Sequence, residues 1–352
     1  MTRPARVQID THALRHNLAL ARARAKHARI MAVIKANAYG HGYLTAAKAL
    51  DSSDAFAVAS LSEALYLRQH QIEKPLLVFQ GAQSLQDYRL ARQHRLILTI
   101  HRLPQIDLLE QLPKPWPDTW LKIDTGMGRM GIHPQHADQA AARLGNSCQA
   151  LMSHLACADQ PEHPLNTKQL ETFERITRNL NLPTSLYNSA ALLDDRFQLT
   201  TDWVRPGLML YGASPLIGQT AAELGLRPAM KLQAPLLDIC HHNAGDTIGY
   251  GATWQCPEPM PVGIIAIGYA DGYPRHAPSG TPVQINGATC PLIGRVSMDS
   301  ITVDLRPCSD AQAGDLATLW GPGLPVEHIA TRAETIPYEL LCHAGQQETA
   351  RS

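Results

Sequence analysis

Ala28-Arg29-Ile30-Met31-Ala32-Val33-Ile34-Lys35 places an unbroken apolar run directly before a lysine. A strand that is apolar at successive positions is covered on both faces, which is the habit of parallel sheets. Working outward, seven further short runs repeat the texture: Ala55–Ser60, Pro75–Gly81, Leu96–Ile100, Thr119–Thr125, Ala150–Ala156, Thr184–Ala190 and Asp202–Tyr211. Stretches rich in Ala, Leu, Arg and Gln lie between them and read as helices. The clearest is Thr167–Leu180, with Leu170, Phe173, Ile176 and Leu180 at helical spacing. Eight strand–helix units predict an α/β fold, a (β/α)₈ barrel of TIM type. A doubly wound open sheet is the rival, although no GxGxxG turn follows the first strand.

After about residue 230 the texture changes. Pro and Gly punctuate short β-rich runs: Leu232–Cys240, Asp246–Trp254, Pro261–Tyr269, Pro282–Ile285, Thr289–Gly294, Ser300–Leu305 and Asp315–Trp320. Asn286-Gly287 is a hairpin-turn signal, and Val326–Arg332 reads as a helix. The expected division is a barrel over 1–230 and a mainly antiparallel β domain over 231–352, with residues 1–10 candidates to pair with the latter.

The 352 residues suit two domains. Formal net charge is zero, and no basic stripe points to nucleic acid. The seven cysteines form no CxxC pair, as expected of reduced thiols in the cytoplasm. No apolar leader opens the chain, and no run reaches the ~20 residues of a membrane helix. The histidines lack metal-ligand spacing, so no metal is expected.

Catalytic groups of such a barrel belong at the C-terminal ends of its strands. Uncommon polar residues fall there: Lys35, Arg129, His154, Asn188-Ser189 and Arg205-Pro206-Gly207. A lysine at a strand end can simply snorkel to solvent. Partly desolvated, it loses proton affinity and becomes nucleophilic. Gly40 and Gly42 permit close backbone approach, and Ser189 with the Gly207 backbone suits a phosphate. Tyr250, Arg129 and His154, each taken alone, read more readily as a strand tyrosine, a surface arginine and a core histidine.

Taken together, these segments resemble a known family. Ala32-Val33-Ile34-Lys35-Ala36-Asn37-Ala38-Tyr39-Gly40-His41-Gly42 is similar to the cofactor-lysine motif of alanine racemases. The resemblance continues through Met127–Arg129, Asn188–Ala191, Arg205–Gly212, Gly249-Tyr250-Gly251-Ala252-Thr253, Gly268–Gly272 and Gly294–Asp299. It implies a homodimer with shared active sites, using pyridoxal 5′-phosphate to interconvert L- and D-alanine and supplying D-alanine for cell-wall peptidoglycan.

By that resemblance, Lys35 holds the cofactor as a Schiff base and is one of two bases. Tyr250, reaching in from the neighbouring subunit, is the other. Arg205 contacts the pyridine nitrogen and His154 supports it. Tyr39, Ser189, Gly207, Leu208 and Tyr338 hold the phosphate. Arg129 serves the phenolic oxygen and the substrate carboxylate, joined by the Met298 backbone of the other subunit. Lys122 matches a lysine that many members carry as a carbamate. Tyr269, Arg275 and Asp159 match residues lining the entrance. After Cys342 the tail is polar and departs from the family pattern, and Ser297 stands where relatives often have Cys.

Racemisation removes a proton from one face and returns one to the other, so two opposed bases are needed. Free Lys and Tyr both titrate at roughly 10, so each needs help near neutral pH. A guanidinium only donates, so Arg205 keeps the pyridine nitrogen unprotonated. The rival readings are a broader-specificity small amino-acid racemase, a decarboxylase using the same cofactor, and a non-catalytic cofactor carrier. The Gly249-Tyr250-Gly251 motif and Arg205 argue against the decarboxylase. The β domain argues against the carrier.

Overall fold

The computed structural model describes residues 3–345. Strand β1 (Arg6–Ile9) leads into helix Thr11–Ala25, capped by the Asp10 carboxylate, which accepts the N–H groups of His12 and Ala13. Eight parallel strands follow: β2 (Arg29–Val33), β3 (Ala55–Val58), β4 (Leu76–Val78), β5 (Ile97–Ile100), β6 (Thr119–Lys122), β7 (Cys148–Met152), β8 (Thr184–Ser185) and β9 (Trp203–Val204). Each pairs with the next, and β9 returns to β2 through Arg29↔Trp203 and Ile30↔Val204. That last pairing closes the barrel and excludes the open sheet. Strands β3 and β4 are buried at every position, as their continuous apolar pattern requires, and β6 is buried throughout although it begins with Thr119 and ends with Lys122.

Several strands are shorter than their sequence runs. The run Thr184–Ala190 stops at Ser185, because Asn188 caps a new helix, Ser189–Leu193, by accepting the Ala191 N–H. The run Asp202–Tyr211 stops at Val204: Pro206 has no N–H for a ladder, and Leu208–Tyr211 forms a 3₁₀ turn. The predicted helix Thr167–Leu180 is found at Pro164–Thr177, where Pro164 suits the first turn.

The second half is antiparallel: β10 (Met230–His242), β11 (Thr247–Ile248), β12 (Trp254–Gln255), β13 (Met260–Ile265), β14 (Pro282–Ile285), β15 (Ala288–Ile293), β16 (Ile301–Asp304) and β17 (Leu316–Trp320). The main sheet runs β1-β10-β13-β16-β15-β14-β17, and β17 also pairs with β10. Asn286 and Gly287, at φ 47° and 82°, turn β14 into β15. The single strand expected over Asp246–Trp254 is instead two short strands around a turn, because Gly249 and Gly251 take φ of 73° and 74°. The run Pro261–Tyr269 ends at Ile265, and Tyr269 stands in a 3₁₀ turn. A final helix, Pro337–Gly345, was not foreseen. The rest of the polar tail lies outside the described residues. No helix among the described residues is long and apolar enough to cross a membrane.

Candidate active site

Lys35 leaves the end of β2, and the four residues after it all have positive φ: Ala36 54°, Asn37 51°, Ala38 53° and Tyr39 52°. They form one left-handed turn, which costs L-residues about 1–2 kcal/mol each. Local bonds offset that cost. Asn37 Oδ1 accepts the Tyr43 N–H at 3.0 Å, and His41 Nδ1 lies 2.9 Å from the Tyr39 carbonyl. Tyr39 stacks on Tyr211 with ring centroids 4.7 Å apart, and the Tyr211 hydroxyl donates to the Val33 carbonyl at 2.9 Å. The Lys35 amine comes to rest 5.9 Å from the Phe79 ring centroid. Burial, then the Arg129 charge, hold its pKa below the usual lysine value.

Lys122 ends β6. The chain then folds back on itself: Ile132 donates to the Lys122 carbonyl at 2.8 Å and Asp124 to the Ile132 carbonyl at 3.0 Å. Asp124 Oδ1 accepts the N–H groups of Gly126, Met127 and Gly128 at 2.9–3.2 Å, so the loop that presents Arg129 is tethered at its root. Burial first, then Arg205 and Arg129, bring the Lys122 amine down to about 8.

Arg205 follows β9 and is buried. It donates to the Ser185 hydroxyl and the Ser153 carbonyl, both at 2.5 Å, and its Nη2 stands 3.4 Å from His154 Nδ1. Ser189 opens the helix after β8, and its hydroxyl accepts the Gly207 and Met209 N–H groups at 2.8 and 3.3 Å. Leu208 begins a 3₁₀ turn, so its N–H has no partner within that turn. A Cβ on Gly207 would overlap the Tyr39 hydroxyl.

These residues meet in one cavity of about 490 Å³ at the C-terminal mouth of the barrel. It brings together ten of the sequence-predicted positions: Lys35, Tyr39, Lys122, Arg129, His154, Ser189, Arg205, Gly207 and Leu208 from the barrel, and Tyr338 from the final helix. Four cations line it, Lys35, Lys122, Arg129 and Arg205, and no carboxylate among the described residues does. Such a cavity demands anionic contents, since buried charge of one sign is costly.

Five predicted positions do not line that cavity. Tyr250, Met298 and Tyr269 are exposed at 67%, 52% and 42%. Tyr250 sits on the turn between β11 and β12. Tyr269 and Met298 lie on adjoining loops: the Ser297 and Met298 carbonyls accept the N–H groups of Tyr269 and Ala270 at 3.1 and 3.0 Å. Arg275 is exposed in a turn beyond them. The Asp159 carbonyl accepts the Ile217 N–H at 3.4 Å. Sequence reasoning missed Phe79 and Gln80 of the lining, which follow β4 with no chemical signature, and Glu63, whose Ser60-x-x-Glu63 spacing is an ordinary helix cap.

Models of the alanine racemase N-terminal and C-terminal domains match residues 9–215 and 229–351. The alanine racemase of Nitrosococcus oceani is 52% identical over 342 residues, 95% of each chain. The crystal structure of the biosynthetic alanine racemase from Pseudomonas aeruginosa superposes with a TM-score of 0.93 at 43% identity, covering 97% of both chains. The alanine racemase of Bartonella henselae, solved with covalently bound pyridoxal phosphate, gives a TM-score of 0.87 at 30% identity over 98% of both. With both domain models matched in order and relatives this similar along nearly the whole length, the chain belongs to the alanine racemase family, isomerases that interconvert L- and D-alanine.

Proposed function

We propose that the barrel cavity holds pyridoxal 5′-phosphate covalently on Lys35, and that Lys35 and Tyr250 from a second copy of the chain are the two bases. The observation that carries this is the cluster of four cations without a carboxylate among the described residues. A phosphate dianion, a phenolate and a substrate carboxylate supply the missing negative charge. The phosphate suits the Ser189 hydroxyl, the Leu208 N–H and the Gly207 backbone, flanked by Tyr39 and Tyr338, whose rings stand 5.9 Å apart. Arg205, a pure donor, suits the ring nitrogen, and His154 sits beside it. The cofactor supplies an electron sink for the carbanion left when the α proton departs.

The remaining work belongs to the chain. Arg129 takes the substrate carboxylate in its tethered loop, with the Met298 backbone of the second copy closing the other side. The Lys35 amine takes or returns the α proton on one face. The Tyr250 oxygen does so on the opposite face. Tyr250 and Met298 are both exposed, which suits residues that complete a partner's cavity, and Tyr269, Arg275 and Asp159 would rim its entrance. Lys122, with a tenth or so of its amine neutral at pH 7 for a pKa of about 8, can attack CO₂ and shed a proton. The resulting carbamate would place negative charge beside Arg129.

The division we propose is a cofactor-holding barrel over 1–230 and a β domain over 231–352. The setting is the cytoplasm, in keeping with seven free cysteines, and the product feeds peptidoglycan. Borohydride reduction with cofactor present tests the reading: it should fix the cofactor to Lys35, and Tyr250→Phe should retain that fixation while abolishing racemisation. α-Deuterium washout across several amino acids tests the substrate. Washout confined to alanine supports the reading, and CO₂ release without washout overturns it.

A further inference from the structure

Glu63 has no part in the roles above, yet both oxygens of its carboxylate are engaged. Oε2 accepts the N–H groups of Ala59 and Ser60 at 2.6 and 3.1 Å, closing the cap of helix Leu61–Gln69. Oε1 turns away from that helix and accepts the Ala36 N–H at 3.0 Å and the Tyr43 hydroxyl at 2.7 Å. A capping box needs one acceptor at this position, and Gln serves it as well as Glu. The second oxygen is therefore committed to something other than the helix.

Its partners identify that task. Ala36 is the residue after Lys35, and Tyr43 opens helix Tyr43–Ala49 just beyond the left-handed turn. Asn37 and His41 also brace the turn, but both belong to the same segment. Glu63 reaches it from the next strand–helix unit, so the bond ties the lysine's backbone to the end of β3. Its negative charge also opposes the burial and the Arg129 charge that depress the Lys35 amine.

We propose that Glu63 is a positioning residue for Lys35: by tying the start of the left-handed turn and the helix that follows it to the end of β3, it fixes the direction from which the amine meets the substrate's α carbon. This rests on the reading of Lys35 as a base.

The test uses cofactor-loaded wild type, Glu63→Gln and Tyr43→Phe. L- and D-alanine have equal free energy in water, so kcat/KM must be the same in both directions for every variant. A misdirected lysine therefore shows in isotope effects. Glu63→Gln should lower kcat about tenfold with KM changed less than about twofold. Its α-deuterium isotope effect should rise only in the direction in which Lys35 removes the proton. The fraction of cofactor that borohydride fixes to Lys35 after dialysis should fall as well.

Isotope effects that stay at the wild-type values, or rise equally in both directions, overturn the proposal. If Glu63→Gln does not fold, Tyr43→Phe keeps the helix cap and removes one partner of Oε1. It should show the same one-sided effect with kcat down about threefold, and unchanged isotope effects there overturn the proposal equally. Wild type that fails to fix cofactor on Lys35 sinks the underlying reading. Wild type that fixes it beside variants identical to wild type sinks only the role of Glu63.

Discussion

Arg205 Nη2 stands 3.4 Å from His154 Nδ1, and the imidazole beside this buried guanidinium is held neutral. Burial is the larger cause and the Arg205 charge the next, and together they push the histidine well below its usual value. Burial also lowers Arg205, to about 10, which still leaves it protonated at neutral pH. The pair is thus a fixed cation beside a fixed neutral ring.

The ring of His154 should therefore show no titration between pH 5 and 9. Nitrogen-15 NMR of the labelled imidazole reads this directly. A titration midpoint above pH 6 would contradict the arrangement. Replacing Arg205 with Gln removes the second cause of the depression but leaves burial, so the midpoint should move upward and remain below the free value of about 6.5.

How far the site was legible in the sequence depended on where each residue's partners lie. Lys35 was legible because the apolar residues before it are covered on both faces, a pattern specific to a parallel strand. Arg205 and Ser189 fall at the barrel cavity although the strands before them are two residues long. Pattern alone could not find those ends, because an Asn cap and a Pro-Gly step interrupt runs that stay apolar. Glu63 looked like a helix cap because it is one, and its second duty depends on a contact with a residue 27 positions away. Tyr250 and Met298 are singled out only through the family pattern. Nothing in local spacing says which exposed surface meets another chain.

Lys122 should be modified when CO₂ is present. Its amine, brought down to about 8, is neutral often enough at pH 7 to react, whereas an ordinary lysine is not. Carbon-13 bicarbonate should give a carbamate resonance that Lys122→Ala abolishes. The same variant leaves Arg129 without its neighbour, so KM for alanine should rise about tenfold with a smaller change in kcat. An unchanged KM would remove Lys122 from the binding of substrate.

Acid should destabilise the fold through His41. This ring is fully buried in the left-handed turn, and burial lowers its pKa from 6.5 to about 4. The folded state thus disfavours the charged form. The stability this contributes is complete above pH 6.5 and is lost as pH falls towards 4, a change of about 3 kcal/mol for a shift of this size. The half-buried His101 and His154, whose pKa values burial also lowers, add to the same slope. His41→Gln should flatten it between pH 6.5 and 4 by about one proton taken up per unfolding event, measurable by denaturant titration at several pH values. A slope equal to that of wild type would show that His41 does not titrate on unfolding.

Gly207→Ala should loosen the cofactor while sparing the fold. The added Cβ meets the Tyr39 hydroxyl first, so Tyr39 must shift from its stack on Tyr211. Retention of cofactor through dialysis should drop at least about tenfold, since a sub-ångström displacement in a site of fixed donors is costly. Fluorescence titration with pyridoxal 5′-phosphate gives the change in affinity, and equal affinity would place the phosphate elsewhere.

The strongest prediction concerns the division of the site between copies. If Lys35 works with Tyr250 of another chain, two inactive variants can repair one another. Lys35→Ala retains a good tyrosine, and Tyr250→Phe retains a good lysine. In a two-fold dimer each interface contact occurs twice, with roles exchanged. A mixed dimer then has one site with both defects and one site with neither. Random exchange makes about half the dimers mixed, and each has one working site of two, so activity should recover to about a quarter of wild type. The variants are unfolded together, refolded with cofactor and assayed for racemisation. Tyr250 is exposed on its own chain, which this scheme requires. A mixture as inactive as its components would mean that both bases come from one chain, and the exposed tyrosine would then need another role.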